Sequence, residues 1–317
     1  MSEVEVRQLV ADDAAGLAGA VSAGQRHGEF RGSSDAEGTF IGKAFELDPS
    51  LFGGAFAEGR LMGLVSSEFK FTLVAPPWRR KGVGRRLVDL AEAMERERGR
   101  PNVLMGRIPE DATAKAFLKA TRFKFHSTLW DLILPEGTAV GVAAWPDDLD
   151  ARTFDRTRDV DGWVALFNTA FADHATPLQL DPAFIAAGLD DPANDDGDLL
   201  LLEDRASGEL VGFCATAPNR SDGKVSHKGE IWTIGVHPDR QGLGLGRQLL
   251  RWGLARLQSL GVTEIDLAVN ARNERALHLY EAEGFIRTRT RERWARPVSP
   301  VTAASAAPSA AASGARG

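Results

Sequence analysis

The sequence repeats itself once, and this repeat constrains the fold more than any other feature. Nine residues of the first half recur in the second half at one constant offset of 162 residues, without a gap. They are Val74, Pro76, Gly82, Gly84, Arg85, Leu87, Gly99, Ala114 and Phe123, which correspond to Val236, Pro238, Gly244, Gly246, Arg247, Leu249, Gly261, Ala276 and Phe285. Several are Gly or Pro, which occupy positions of special backbone geometry. Each copy is long enough to bury its own core, so we predict a duplicated domain rather than a solenoid.

Composition sets the predicted boundaries. We predict an N-terminal domain over residues 1–134, a linker rich in Pro and Gly over 135–150, and a C-terminal domain over 151–296. Residues 297–317 are mostly Ala, Pro, Ser and Gly. Such a segment has too little apolar bulk to offset its ordering entropy, which predicts a disordered tail. An Ala-rich helix is the alternative, although Pro300, Pro308 and Gly314 would interrupt it.

Strands alternate with helices in both halves. The first half predicts a strand over 69–74, a helix over 82–98, a strand over 102–107 and a helix over 110–121. The second half predicts strands over 199–203, 209–216, 230–236 and 264–269, helices over 244–260 and 273–283, and strands to about 296. This order predicts an α/β fold, layered as in α+β proteins, in each half.

Several classes of protein are disfavoured. The net charge of −6 argues against a nucleic-acid partner. No apolar run approaches the roughly 18 residues of a membrane helix, so no membrane partner is expected. The N-terminus lacks the apolar core of a secretory signal, which predicts a cytoplasmic protein. The single cysteine, Cys214, excludes an internal disulfide and a Cys-based zinc site, and we expect no metal.

A glycine-rich loop in the second half carries the most chemical information. A predicted strand ends at Val236, Gln241 and Gly242 follow, and a helix begins near Gly244. Glycines allow consecutive N–H groups to turn inward, and the open N-terminus of a helix attracts anions. Arg240 and Arg247 flank the loop, which predicts a pyrophosphate site. The loop has neither the Walker pattern nor GxGxxG spacing, and the alternative is a turn that only starts a helix.

Two signatures in this half resemble those of the GCN5-related N-acetyltransferase (GNAT) superfamily. The first is Gln241-x-x-Gly244-x-Gly246 after Val-x-Pro, and the second is Asn273-x-x-Ala276-x-x-x-Tyr280-x-x-x-Gly284-Phe285. The resemblance implies a mixed central sheet flanked by helices, with acetyl-CoA as co-substrate between two splayed strands. It also implies cofactor contacts, through the strand edge, the loop N–H groups and the second signature, from Ile234, Val236, Gln241, Gly242, Leu243, Gly244, Leu245, Gly246, Arg247 and Asn273.

Amide formation needs a neutral amine and benefits from an acid at the leaving thiolate. The only tyrosine, Tyr280, is the candidate acid, and a packed aromatic side chain is the alternative. Glu230 matches the catalytic glutamate of Gcn5-type members, and we expect its side chain to share a strand face with Trp232 and Ile234. The alternatives are a solvated strand-end glutamate and, as a weaker base, His227. No nucleophile motif is evident, which favours direct attack in a ternary complex.

The first half departs from the pattern. Leu118 stands at the position of Tyr280, Asp111 at that of Asn273, and Glu68 at that of Glu230 after shortened strands. Leucine cannot donate a proton, so we predict a catalytically silent first half. Its basic loop could still bind a second CoA, through Val74, Arg79, Arg80, Lys81, Gly82, Val83, Gly84 and Arg85. A solvated helix start is the alternative.

The acceptor side is less well specified. Residues 181–204 hold eight acidic residues and no basic one, which suggests steering of a cationic amine or only a solvated loop. The arginines 287, 289, 291 and 293 would lie on one side of an unbroken strand, as a solvated or edge-protecting face. The tandem organisation resembles the mycothiol synthases, whose second half is active.

The expected function is acetyl transfer to a small-molecule amine in the second half, by a monomer or homodimer. One alternative acceptor is a cysteinyl aminosugar, as in the mycothiol synthases, and another is a protein or peptide amine. A non-catalytic acyl-CoA sensor or scaffold is the alternative from a different class. The pair of Glu230 and Tyr280 disfavours the sensor, because a pure binder would not need both residues.

Overall fold

The two halves of the chain have the same order of elements. The computed structural model describes residues 3–26, 35–107, 110–172, 180–189, 194–221 and 223–299. The first half contains β1 (Val4–Gln8), α1 (Ala14–Arg26), α2 (Asp35–Leu47), β2 (Gly53–Ala57), β3 (Arg60–Ser66), β4 (Phe71–Val74), α3 (Val83–Glu97), β5 (Asn102–Arg107), α4 (Ala112–Ala120) and β6 (Lys124–Leu134). The second half contains β7 (Leu149–Thr153), α5 (Val160–Ala170), α6 (Pro182–Leu189), β8 (Leu199–Asp204), β9 (Leu210–Ser221), β10 (Lys224–Val236), α7 (Leu245–Ser259), β11 (Glu264–Asn270), α8 (Glu274–Ala282) and β12 (Ile286–Pro297). The predicted α/β class is confirmed.

The halves are joined by exchange of their last strands. One sheet has the order β1-β2-β3-β4, and the other has the order β5-β12-β6-β11-β10-β9-β8-β7. Strand β12 of the second half therefore lies beside β5 of the first, and β6 of the first half lies beside β11 of the second. The pair Val103–Arg296 in one half corresponds to the pair Ile265–Leu134 in the other, at the same offset of 162. One sheet contains strands from both halves, so the sheets do not divide the chain at the predicted boundaries. Those boundaries stay a prediction.

Each half has helices on both faces of its strands. In the second half, α7 and α8 pack on one face around a core that includes Leu249, Leu254 and Ile265. Helix α5 packs on the opposite face, where Trp163 and Phe167 contact Phe213. The leucine spacing that predicted the helix over 244–260 is explained by this packing, because the leucines of α7 face the sheet.

Strand β12 does not have the role that its arginines suggested. It lies between β5 and β6 and is therefore not an edge strand. Its register against β6 shifts between Arg287 and Arg289, so the four arginines do not share one side. Arg287 stacks over the Trp130 ring on the face of α8, at 3.7 Å. The expectations that the four arginines share one side of the strand and protect a sheet edge are wrong. Residues 300–317 of the predicted tail lie outside the described residues.

Candidate active site

Strands β10 and β11 separate in the middle of the sheet. They pair in parallel only where Lys228–Glu230 of β10 lie beside Glu264–Asp266 of β11. Beyond that point the rest of β10 pairs with β9, and the rest of β11 pairs with β6. A cleft therefore opens directly after Glu230. The edge of β10 that faces this cleft contains the backbone of Ile234 and Val236, which fits the predicted contact with an extended pantetheine arm.

The glycine loop lies at the end of this edge. Gly242 and Gly244 adopt left-handed backbone angles, with φ of 88° and 81°. Helix α7 begins at Leu245, and its N-cap residue Gly244 supplies no side-chain hydrogen bond. The first N–H groups of a helix have no partner within the helix, so those of α7 are available to an anion. This geometry supports the predicted contacts with residues 242–247.

The charges around the loop differ from the sequence expectation. Arg240 donates to Asp204 and, at 3.5 Å, to Asp148, while Arg247 lies 3.1 Å from Glu283. Both guanidinium groups are therefore already held by carboxylates, and they do not simply flank the loop as two open cations. The side-chain amide of Gln241 donates to the carbonyl of Val236 at 3.2 Å, which ties the loop to the end of β10.

Arg275 is the cation that the sequence analysis missed. Its guanidinium donates to the side-chain oxygen of Gln241 at 3.3 Å, and a Cβ placed on Gly242 would lie 4.0 Å from it. The residue stands within the second signature, two positions after Asn273. Its position in the second signature is the signal that could have indicated a contact with the glycine loop. That inference would have required knowing that α8 packs beside α7.

Tyr280 lies on α8, half-buried against the core that also holds Cys214. Its ring centroid is 5.9 Å from that of Phe285. Burial raises the pKa of Tyr280 well above its usual range, and the negative charge that Cys214 would carry as a thiolate raises it further. Tyr280 and Ile234, whose backbone lies on the edge of β10 that faces the cleft, pack against this same core. Its phenol stays protonated at neutral pH, as an acid for the leaving thiolate requires.

Glu230 lies where the two strands part, beside Ala217 of β9 and Asp266 of β11. Its neighbour Ile231 packs against α7, so the Glu230 side chain extends from the opposite face of the sheet, which we call the acceptor face. Asp266 is on this face too, since Ile265 and Leu267 enter the core. The alternative base His227 is exposed and lies 4.0 Å from Glu264.

A β-bulge changes the expected alternation of β10. The register against β9 shifts between Ile231 and Thr233. Trp232 consequently packs against Trp163 and Phe167 of α5 with 43% of its surface exposed, while Ile234 packs on the core of α7. The expectation that Ile234 shares a face with Trp232 is wrong. Trp232 forms an apolar wall on the acceptor face, two residues from Glu230.

Asn273 has a clear structural role. It is the N-cap of α8, and its side-chain oxygen accepts from the N–H of Ala276 at 3.1 Å. Asp111 caps α4 in the same way, accepting from Ala114 at 2.8 Å. The two aligned positions therefore share a capping function. The contact of Asn273 with the pantetheine arm stays a prediction.

The first half keeps the loop and loses the reacting groups. Gly82 has φ of 83° and starts α3 without a side-chain cap. The guanidinium of Arg79 donates to the carbonyl of Val74 at 2.8 Å, as Gln241 does to Val236. Leu118 is buried in the core at the place of Tyr280. Glu68 lies in the turn before β4 and is paired with Arg100 at 2.5 Å.

The acidic segment of residues 181–204 is largely neutralised where it is described. Asp196 pairs with Arg156, and Asp198 pairs with Arg220 and Arg256. Residues 190–193 lie outside the described part. These ion pairs favour a structural role for the segment over long-range steering of a cation.

In the described residues there is no group of three or more His, Cys, Asp or Glu side chains that could hold a metal ion. No helix within the described ranges is long and apolar enough to cross a membrane.

Comparisons with known proteins agree with this geometry. Residues 160–285 match the model of the acetyltransferase (GNAT) family. The mycothiol acetyltransferase of Thermobispora bispora is 33% identical over 219 residues, which cover 68% of this chain and 71% of that protein. The mycothiol acetyltransferase of Thermomonospora curvata is 33% identical over 267 residues, covering 83% of this chain and 81% of that protein.

A solved structure shares the whole architecture. A tandem GNAT protein from the clavulanic acid biosynthesis pathway superposes with a TM-score of 0.66 at 16% identity, covering 95% of this chain and 100% of that chain. At this identity the similarity concerns the fold alone. The sequence relatives show that the chain belongs to the GNAT family of acetyltransferases, and the match of residues 160–285 to the family model agrees with them.

Proposed function

We propose that the chain transfers the acetyl group of acetyl-CoA to the amine of a small molecule, in the cleft between β10 and β11. One observation carries the proposal. The two strands part at Glu230, and the open edge of β10 leads from there to the uncapped start of α7. A thioester arm along this edge would bring its carbonyl near Glu230 and its pyrophosphate to the glycine loop.

The residues divide the proton transfers between them. The amine nitrogen attacks the thioester carbonyl, a C–N bond forms, and the C–S bond breaks. Glu230 takes the proton that the amine loses, and the phenol of Tyr280 gives a proton to the departing thiolate. Positioned acid–base groups of this kind typically contribute about 10²- to 10⁴-fold each. Cys214 is no nucleophile here, because it is fully buried and burial raises its thiol pKa.

The acceptor is proposed at the level of a class. A cysteinyl aminosugar is the specific candidate, because the relatives are named mycothiol acetyltransferases. The apolar wall at Trp232 beside Glu230 suits an acceptor with an apolar edge. A peptide amine remains the second candidate. A non-catalytic sensor is disfavoured by the retention of Glu230 and Tyr280 in one half, in contrast to Glu68 and Leu118 in the other.

The first half is proposed to be catalytically silent, with a second CoA site at the uncapped start of α3 and the basic residues around Gly82. The cytoplasmic location, the lack of a metal, and the monomeric or homodimeric state stay predictions from the sequence.

The test is release of CoA from acetyl-CoA across a panel of amines, with product identified by chromatography. The panel contains aminosugars, a cysteinyl aminosugar, polyamines, amino acids and short peptides. Turnover with one class, lost in Tyr280→Phe, is the expected result. Tight binding of acetyl-CoA without turnover of any amine would favour the sensor instead.

A further inference from the structure

Three side chains of β11 form a row on the acceptor face, and the proposed function gives none of them a role. Every second residue from Ile265 to Val269 enters the core that α7 covers. Because side chains alternate along a strand, the residues of the other parity extend from the acceptor face. We call them the β11 row, and they are Asp266, Ala268 and Asn270. The row begins beside Glu230 and runs along the cleft.

The middle of the β11 row is open. Strand β11 lies inside the eight-stranded sheet, between β10 and β6, yet the side chain of Ala268 is exposed. An exposed small residue on an interior strand indicates that this face of the sheet is uncovered there. Trp232, on the other side of the cleft, is also partly exposed on the acceptor face. A small molecule can therefore reach the row.

The end of the row beside Glu230 carries a second carboxylate. Asp266 is the parallel partner of Glu230, so about 4.8 Å separates their Cα atoms and both side chains leave one face. A carboxylate accepts up to about four hydrogen bonds, so each can bind an amine while it keeps other partners. In the first half, the position that corresponds to Asp266 at the offset of 162 is Leu104. The carboxylate pair therefore belongs to the half that also contains Tyr280.

The other end of the row carries a buried amide whose NH₂ has no partner. Asn270 is 5% exposed. Its side-chain oxygen accepts from the N–H of Arg272 at 3.0 Å, which fixes the orientation of the amide. Its NH₂ donates to no group in the part of the chain that the structure describes. A buried donor without a partner is costly, so an oxygen atom of a ligand would be favourable here.

The groups at this end of the row are neutral. Ser127 of β6 lies two residues from Leu129, which is the cross-strand partner of Asn270. Its hydroxyl is buried and, among the described residues, also has no partner. The nearest carboxylate of β6 on this face, Asp131, accepts from Arg291 at 2.9 and 2.5 Å. A hydroxyl and an amide suit an uncharged oxygen better than they suit an ion.

The length of the row corresponds to a small molecule. Asp266 and Asn270 are four residues apart on an extended strand, which separates their Cα atoms by about 13 Å. Side chains lean along the strand, and each hydrogen bond adds its own length, so an acceptor of about 10 Å can contact both ends. Ala268 leaves the space between the two ends free of a large side chain.

We propose that the β11 row binds the acceptor, with its amine between Glu230 and Asp266 and with a hydroxyl group at its other end accepting a hydrogen bond from Asn270. This inference rests on the proposed function, in which Glu230 is the base for that amine. It narrows the acceptor to a cationic amine with an uncharged, hydroxyl-bearing body. A cysteinyl aminosugar has both features, whereas an aliphatic amine lacks the second.

Two acceptors of similar size test the amide end. N-cysteinyl-glucosamine and the cyclohexylamide of cysteine have the same amine and a six-membered ring, but only the first has ring hydroxyls. We expect its kcat/KM to be higher by about tenfold or more. Asn270→Leu removes the donor at similar volume and should reduce this ratio below about threefold, with the KM for acetyl-CoA unchanged. Asn270→Ala is the second variant if Asn270→Leu does not fold, and Arg272→Gln is the control that should keep the full ratio.

The carboxylate end is tested by Asp266→Asn, which keeps the shape and removes the charge. The KM for the acceptor should rise about tenfold with a smaller change in kcat, because the cation loses one partner while the base remains. Glu264→Gln is the matched control, since Glu264 lies two residues earlier on β11, is exposed and pairs with Lys228. A merely structural role of Asp266 would instead change the KM for acetyl-CoA and the thermal unfolding.

Three results would overturn the inference and leave acetyl transfer intact. They are equal kcat/KM for the two acceptors, a ratio that persists without the Asn270 donor, and an unchanged acceptor KM in Asp266→Asn. The unpartnered groups would then bind water only. If neither acceptor is turned over, the proposed function fails separately, and calorimetry in the presence of CoA decides the inference. Tighter binding of the glucosamine compound, lost in Asn270→Leu, is expected, whereas equal affinities or no binding of either compound would overturn it.

Discussion

Glu230 and Asp266 are the last paired residues of the parallel strands β10 and β11. Their carboxylates extend from one face of the sheet, directly beside the point where the strands separate. The base proposed for the acceptor amine therefore lies at the apex of the cleft, and the cleft widens toward the glycine loop.

The glycine loop provides a test with an internal control. Gly244 and Gly261 have nearly equal positive φ, 81° and 83°, at opposite ends of α7, and neither would meet another atom through an added Cβ. Substitution of either by Ala should cost about 1 kcal/mol of stability through backbone strain. Only Gly244→Ala should weaken acetyl-CoA binding, by about tenfold, as measured by calorimetry. Equal loss of affinity in both variants would contradict the loop assignment.

The role of Glu230 as base predicts a change in the pH profile. In Glu230→Gln, kcat/KM should fall most at lower pH, where the acceptor amine is hardest to deprotonate, and by about 100-fold or more near neutrality. Glu264→Gln is the control, because Glu264 is on the neighbouring strand but is exposed and paired with Lys228. An unchanged profile in Glu230→Gln would remove it as the base.

The single tyrosine allows its protonation to be followed directly. Burial raises the pKa of Tyr280, so the folded chain should show no tyrosinate absorbance as pH passes 10, whereas the unfolded chain titrates near pH 10. The folded state holds the phenol proton of Tyr280 more tightly than the unfolded state. Its contribution to the free energy of unfolding is therefore complete below the pKa that Tyr280 has in the unfolded chain. It is lost as pH rises toward the folded pKa. Absorbance at about 295 nm follows the formation of tyrosinate in the folded and in the unfolded chain. Titration of the folded chain near pH 10 would contradict the burial of Tyr280.

The exchange of β6 and β12 predicts that the halves depend on each other. A chain of residues 135–317 lacks β6, which leaves the edge of β11 from Ile265 to Asn270 unpaired. Exposed strand edges aggregate, so this fragment should be insoluble when expressed alone. Co-expression with residues 1–134 should restore a soluble complex, detected by co-purification. A soluble, folded fragment without its partner would show that the shared sheet is not required.

The sequence predicted the local features better than the long-range ones. The glycine loop and the helix after it were evident because glycine spacing and leucine periodicity are local, and α7 begins and ends within a residue of expectation. The pairing of β12 with β6 joins residues more than 150 positions apart, and no local pattern encodes that register. The faces of Ile234 and Arg287 were misjudged because a β-bulge, which shifts alternation by one residue, leaves little trace in the sequence. The ion pairs of Arg240 and Arg247 depend on distant carboxylates in the same way.

Equivalent substitutions in the two halves decide where the active site lies. The rate of CoA release with a reactive amine would be measured for Glu230→Gln and Tyr280→Phe, and for Glu68→Gln and Leu118→Phe at the corresponding positions of the first half. Thermal unfolding of each variant would confirm that it is folded. We expect a loss of about 100-fold or more in the second-half variants and less than threefold in the first-half variants. Equal losses in both halves, or full activity of the second-half variants, would contradict an active site at the separation of β10 and β11.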